Sequence, residues 1–145
     1  MEFSFFTAHK IVFKKGAIDE LVTHVKPLGS NFMLVVDPFF LNSPTMESIK
    51  KQFEEAGLRY VAFGDVRGEP TVEMVDEVTA LAVKEGCDAV ISIGGGSCID
   101  TGKATAALIT NGTPALDYME VVGKGKKVTV EPVPFVAIPT TAGTG

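Results

Sequence analysis

The chain has 145 residues, 46% of them hydrophobic, and a formal net charge of -5. That length suffices for one domain with a sizeable core. The acidic balance argues against a nucleic-acid scaffold, although a local basic patch stays open, and no apolar stretch approaches the length of a membrane helix.

The aromatic start, Met1-Glu2-Phe3-Ser4-Phe5-Phe6, lacks the basic residues and small-residue cleavage site of a secretory signal. Cys87 and Cys98 form neither a CxxC pair nor a disulfide pattern, so a reducing, cytoplasmic location is expected. Residues 10–13 read as a short strand, with residues 3–6 as another extended piece before it. After Gly16, the apolar residues Ile18, Leu21, Val22 and Val25 recur at helical spacing, and Pro27 and Gly29 stop that helix. Phe32-Met33-Leu34-Val35-Val36 reads as a buried strand ending at Asp37-Pro38. Residues 44–56 predict a helix through Met46, Ile49 and Phe53, closed by Gly57, and residues 59–63 a further strand.

After a loop over 64–70, Thr71 starts a helix with Val72, Val75, Val78, Leu81 and Ala82 on one stripe, closed by Gly86. Residues 89–93 are a buried strand that runs into Gly94-Gly95-Gly96 and then into a helix over 97–109. Asn111-Gly112-Thr113-Pro114 is a break. Gly123-Lys124-Gly125-Lys126-Lys127 reads as an exposed hairpin tip with short extended arms, its lysines a solvated turn. Residues 133–138 form the last strand, with Pro134 near its entry. The fold class is therefore α/β: a Rossmann-like, mostly parallel sheet with helices on both faces and the GGGS turn after the fourth major strand. Ligands of such sheets sit beyond the carboxyl ends of the strands, where Asp37 and residues 64–70, 94–97 and 140–145 all fall.

The glycine stretch predicts a phosphate cradle. Glycines let the backbone turn sharply and leave amides bare, and a helix N-terminus aims unpaired N–H groups and its positive dipole end at the same spot. Ser97 and Asp100 stand at capping-box spacing. The other reading of the same residues is a tight turn that binds nothing. A Walker A loop is excluded, because Gly102-Lys103 is followed by Ala104 and Ser97 stands where the opening glycine belongs. Asp37, at a strand end, could accept hydrogen bonds from ribose hydroxyls and would repel a 2′-phosphate, favouring NAD(H). Its alternative is a turn cap before Pro38.

Gly94-Gly95-Gly96-Ser97-Cys98-Ile99-Asp100-Thr101-Gly102-Lys103, with Ile138-Pro139-Thr140-Thr141-Ala142-Gly143-Thr144-Gly145 downstream, resembles the iron-containing (group III) alcohol dehydrogenase family. The opening His9-Lys10-Ile11-Val12-Phe13, then Gly16 and Ala17, is similar to that family's start, as are Val36-Asp37-Pro38 and Pro70-Thr71. The resemblance implies that residues 1–145 are the NAD-binding domain of a longer oxidoreductase. It implies that a helical domain absent from this chain supplies an aspartate and three histidines to Fe2+ or Zn2+. It also implies that Asp37 contacts the adenosine ribose, that Gly95, Gly96 and Ser97 hold the pyrophosphate, and that Thr140, Thr141 and Thr144 line the nicotinamide side.

Asp100 and Lys103 match family motif positions, and Glu69 stands where the family usually has a cofactor-binding asparagine. Lys14 replaces a usual glycine. His9 and His24 have no carboxylate or cysteine partner at ligand spacing and are expected to be structural or exposed. The implied substrate is a small alcohol or aldehyde, with hydride passing to or from NAD, and this portion alone is expected to lack turnover. No nucleic-acid or membrane partner is expected, and a homodimer is, through Phe3, Phe5 and Phe6. The alternatives are a polyol or glycerol dehydrogenase, a dehydroquinate-synthase-like relative, and a non-catalytic nucleotide-binding module. A flavodoxin-like regulator would need an acidic cluster at the strand ends, where this chain has Asp37 alone.

Overall fold

The computed structural model describes residues 3–4 and 7–142. A 3-10 turn at Ala17–Glu20 leads into the short helix α1 (Leu21–Val25), followed by β1 (Asn31–Val36), α2 (Pro44–Glu55) and β2 (Arg59–Phe63). Then come α3 (Val72–Glu85), β3 (Ala89–Gly94), α4 (Gly96–Asn111), a 3-10 turn at Ala115–Tyr118 and β4 (Phe135–Pro139). The four strands form one wholly parallel sheet in the order β2-β1-β3-β4.

Period-two alternation along the central strands splits the core into two layers. Phe32, Leu34 and Val36 of β1 and Ala89, Ile91 and Ile93 of β3 pack with Val25, Met46, Ile49 and Phe53 from α1 and α2. Met33, Val35 and Val90 face the other way, onto Val78 and Ala82 of α3 and Cys98 and Ala106 of α4. Every residue of β1 and β3 is buried, which is why both read as apolar runs apart from Asn31 and Ser92. Phe53 locks the first layer by meeting Phe32 and Tyr60 edge-on, with centroids 5.3 and 5.7 Å away.

The starts of α2 and α3 and the end of α3 are where the sequence places them, for identifiable reasons, while α4 runs over Gly96–Asn111 rather than 97–109. The Ser43 hydroxyl accepts from Met46 N–H ahead of Pro44, and Thr71 accepts from Met74 N–H, each at 3.2 Å. Gly86 closes α3 at φ 69°, a left-handed position that favours glycine.

Three expectations fail. Residues 10–13 pair with no strand among the described residues, and Ile11 is 74% and Phe13 99% exposed. The glycine turn consequently follows the third strand of the sheet, not the fourth. Residues 123–127 form no hairpin with extended arms. That loop folds back on the preceding turn, with Lys126 N–H donating to Asp117 O at 2.9 Å and the Lys124 ammonium paired with Asp117 at 3.0 Å.

Candidate functional site

The chain leaves β1 towards β2 on one side and leaves β3 towards β4 on the other, so the sheet has its switch point between the carboxyl ends of β1 and β3. Crevices in open parallel sheets form there. Asp37 follows β1 and its N–H donates to Ile93 O of β3 at 2.9 Å. Gly94 ends β3, and Thr140, just past β4, donates its N–H to Gly94 O at 3.0 Å. Three strand ends thus converge on one glycine.

None of Gly94, Gly95 and Gly96 has a positive φ, so left-handed backbone is not the reason for them. Gly94 is small because of close approach: a Cβ there would lie 2.6 Å from Cys98 Sγ and 3.0 Å from Asp37 Cβ. At Gly95 a Cβ would sit 3.7 Å from Thr141 Cγ2, and at Gly96 it would meet nothing within 4 Å. These two glycines keep a space clear directly over the start of α4.

Gly95 is the N-cap of α4 and no side chain caps that end. The capping box expected of Ser97 and Asp100 does not form, because the helix starts one residue earlier and places Ser97 inside the first turn. The first intrahelical bond is Ile99 N–H to Gly95 O at 3.1 Å, so the amides of residues 96–98 precede the helical ladder. The first turn of α4 carries no acidic side chain, whereas those of α2 and α3 carry Glu47 and Glu73. An anion over Gly95 and Gly96 would meet backbone donors that no side chain caps among the described residues, at the positive end of the helix dipole.

Asp37 has both characters read from its sequence position. Its Oδ1 accepts from Phe39 N–H at 2.9 Å, making an Asx turn, while its Oδ2 has no protein donor among the described residues. Cys98, which sequence reasoning passed over, is buried beneath the turn and fills the space that a side chain at position 94 would need. Burial, with the Asp37 charge adding to it, pushes its thiol up to about 11.

Gly102 was also missed as a packing residue. A Cβ there would overlap the Ser92 hydroxyl, which donates to Cys98 O at 2.9 Å. The signal was present in the four-residue spacing of Cys98 and Gly102 on the sheet-facing side of α4.

The remaining expected site residues lie elsewhere. Asp100 lines a cavity of about 370 Å³ on the flank of α4, together with Pro70, Thr71, Ala104 and Tyr118, and none of Asp37, Gly95, Gly96, Ser97 or Thr140 reaches it. Glu69 is exposed on the loop before Pro70. Thr144 lies outside the described residues. Among the described residues, no three His, Cys, Asp or Glu side chains gather as a metal would require. No helix among them is long and apolar enough to cross a membrane.

Fold and crevice define a class: a doubly wound parallel α/β domain with a glycine turn and a helix start at its switch point. The family model of iron-containing alcohol dehydrogenases matches residues 8–145, and the chain belongs to that family. It is 39% identical to the NAD-dependent methanol dehydrogenase of Bacillus methanolicus, across 98% of this chain and 36% of that protein. It is 37% identical to the choline dehydrogenase of Bacillus subtilis, across 90% of this chain and 32% of that one. Among solved structures it is similar to the sulfoacetaldehyde reductase of Bifidobacterium kashiwanohense in complex with NAD+. That likeness has a TM-score of 0.79 and 27% identity, over 99% of this chain and 37% of the other. The chain thus spans about a third of the length of the curated relatives it matches.

Proposed function

We propose that this chain is the nucleotide-binding portion of a metal-dependent oxidoreductase that passes hydride between NAD(H) and a small alcohol or aldehyde. The observation that carries the proposal is the cleared space at Gly95 and Gly96 over the uncapped start of α4, flanked by Asp37 and Thr141. A pyrophosphate fits the chemistry of that space, since the amides of residues 96–98 can donate and any larger side chain at position 95 would intrude. In this reading Asp37 Oδ2 accepts from a ribose hydroxyl while Oδ1 stays in its turn, and Gly95, Gly96 and Ser97 hold the pyrophosphate. Thr140 and Thr141 then face the nicotinamide half from the β4 side, and the family motif suggests the same role for Thr144. Family membership and the names of the relatives support this reading and do not favour a dehydroquinate-synthase-like enzyme or a non-catalytic module.

When bound, NAD would accept or deliver hydride, and Fe2+ or Zn2+, on ligands from the rest of a full-length enzyme, would polarise the substrate oxygen. What these residues supply is placement: they anchor the cofactor's phosphates and ribose so that its reactive ring is presented on one side of the crevice. The chain by itself is proposed to bind the cofactor without turning over alcohol. Relatives are named for methanol, choline and sulfoacetaldehyde, so the family's substrates range over small alcohols and aldehydes. We further propose a homodimer through Phe3, Phe5 and Phe6; Phe3 is exposed, and Phe5 and Phe6 lie outside the described residues. A cytoplasmic setting suits two buried free thiols.

Fluorescence titration of the chain with NADH and NADPH tests the cofactor reading. Tighter NADH binding is expected, because a 2′-phosphate would meet the Asp37 carboxylate. Tighter NADPH binding contradicts the role given to Asp37.

A further inference from the structure

Across the carboxyl edge of the sheet the polar groups of the crevice fall in a fixed order: Asp37 beyond β1, the glycine turn beyond β3, and Thr140 and Thr141 beyond β4. A dinucleotide with its pyrophosphate at Gly95 and a ribose at Asp37 must place its adenine further out, over the ends of β1 and β2. That ground is occupied by the turn of residues 38–43. Phe40 and Leu41 of this turn face inward, against the layer formed with α1 and α2. Leu41 also lies over the end of β2, where its Cδ2 would be 2.5 Å from a Cβ at Gly64.

Phe39 does the opposite. It is 84% exposed and, of the large exposed apolar residues among those described, it alone stands in this turn. An exposed phenylalanine is unremarkable by itself, but this one is held. Its N–H donates to Asp37 Oδ1 at 2.9 Å, the next N–H donates to Asp37 O at 2.8 Å, and its ring meets that of the anchored Phe40 edge-on at 5.5 Å. The side chain that would grip the ribose therefore also fixes the backbone of an aromatic ring beside it.

We infer that Phe39 is the stacking surface for the adenine of the dinucleotide, a base-binding position that adds affinity for cofactors carrying a purine. The inference rests on the proposed cofactor reading. A flat ring presented to solvent can take a base face-on without any rearrangement of the core, and stacking tolerates any purine because every base has a π face. The Asx turn at Asp37 then has two purposes, aiming one carboxylate oxygen and holding the ring.

The test is calorimetric titration of the chain with NADH, and with ADP as the adenosine half alone, for the wild type, Phe39→Ala, Phe39→Leu and Phe39→Trp. Base–aromatic stacking of the usual size predicts roughly 10- to 100-fold weaker binding of both ligands by Phe39→Ala. Phe39→Leu, which keeps an apolar side chain at the turn but removes the flat ring, should weaken binding likewise. Phe39→Trp should bind at least as tightly as the wild type. A purely structural role for the ring predicts that the tryptophan variant fails as well, and that result overturns the inference. Wild-type-like binding by Phe39→Ala or Phe39→Leu also overturns it and leaves the cofactor reading standing. A wild-type chain that takes up neither NADH nor ADP sinks both.

Discussion

Adding one methyl group at Gly102 should loosen α4 from the sheet, and Ser92 should determine by how much. In the native chain a Cβ at position 102 overlaps the Ser92 hydroxyl and stands 3.2 Å from Phe135 Cε2 and 3.3 Å from Ser92 Cβ. Overpacking of a tight core costs roughly 1–3 kcal/mol. Turning the hydroxyl aside breaks its 2.9 Å bond to Cys98 O, worth about 1 kcal/mol. Against these, alanine in place of glycine inside a helix returns about 1 kcal/mol. Gly102→Ala should therefore destabilise by roughly 1–3 kcal/mol, a sizeable share of the about 5–15 kcal/mol that holds a domain together. In a Ser92→Ala background the overlapping atom is gone and the remaining contacts need to give only slightly. The same change should then be close to neutral, with a coupling of about 1 kcal/mol or more. Urea unfolding followed by circular dichroism on the wild type, the two single variants and the double variant measures this. An equal penalty in both backgrounds would refute the claim that Ser92 and Gly102 seat the helix whose N-terminus faces the crevice.

Other expectations follow from single contacts. Asp88 accepts from Ser30 N–H, Ser30 Oγ and Asn31 N–H at 2.7–3.0 Å; burial raises its pKa, but these hydrogen bonds together outweigh it and hold the carboxyl below its usual range. A depressed folded-state pKa contributes stability that is present above the unfolded value and lost as pH falls through the folded one. Urea midpoints should therefore fall from about pH 5 downward, and by less in Asp88→Asn. Asn111 clasps the following loop, its side chain donating to Val130 O at 2.8 Å and accepting from Thr129 and Val130 N–H at 3.0 Å. Asn111→Ala should cost about 2 kcal/mol and speed amide exchange across residues 119–130, as read by hydrogen-exchange mass spectrometry. Burial pushes both Cys87 and Cys98 up to about 11, so neither should react with a thiol reagent at pH 7 faster than the chain unfolds.

The repeating pattern of strands and helices was legible because its signals are local. β1 and β3 are apolar apart from Asn31 and Ser92, Thr71 announces its helix, and Gly86 ends it. Residues 10–13 have the composition of a strand, but a strand exists only through a partner, and composition says nothing about whether one is adjacent. The hairpin expected at residues 123–127 was misread for the related reason that the loop around it is held by distant anchors. Ala115 N–H donates to Asp76 at 2.7 Å across 39 positions, and Asn111 reaches residues 129 and 130.

At the crevice, motif and strand ends pointed to the location of Asp37, Gly95 and Thr141, while the reason for the glycines did not follow from turn chemistry. Gly94 is small because Cys98 and Asp37 crowd it, a fact of packing that follows from where the strand ends meet, whereas Gly95 and Gly96 have room around them. Asp100, adjacent in sequence, is carried by the helical turn to a different cavity.

The most direct test of the account is an amide NMR titration of the chain with NADH. The account predicts that the largest shifts fall on the amides of Gly95, Gly96 and Ser97, with smaller ones at Asp37 and Thr140. Saturable shifts elsewhere with those amides unmoved would contradict it.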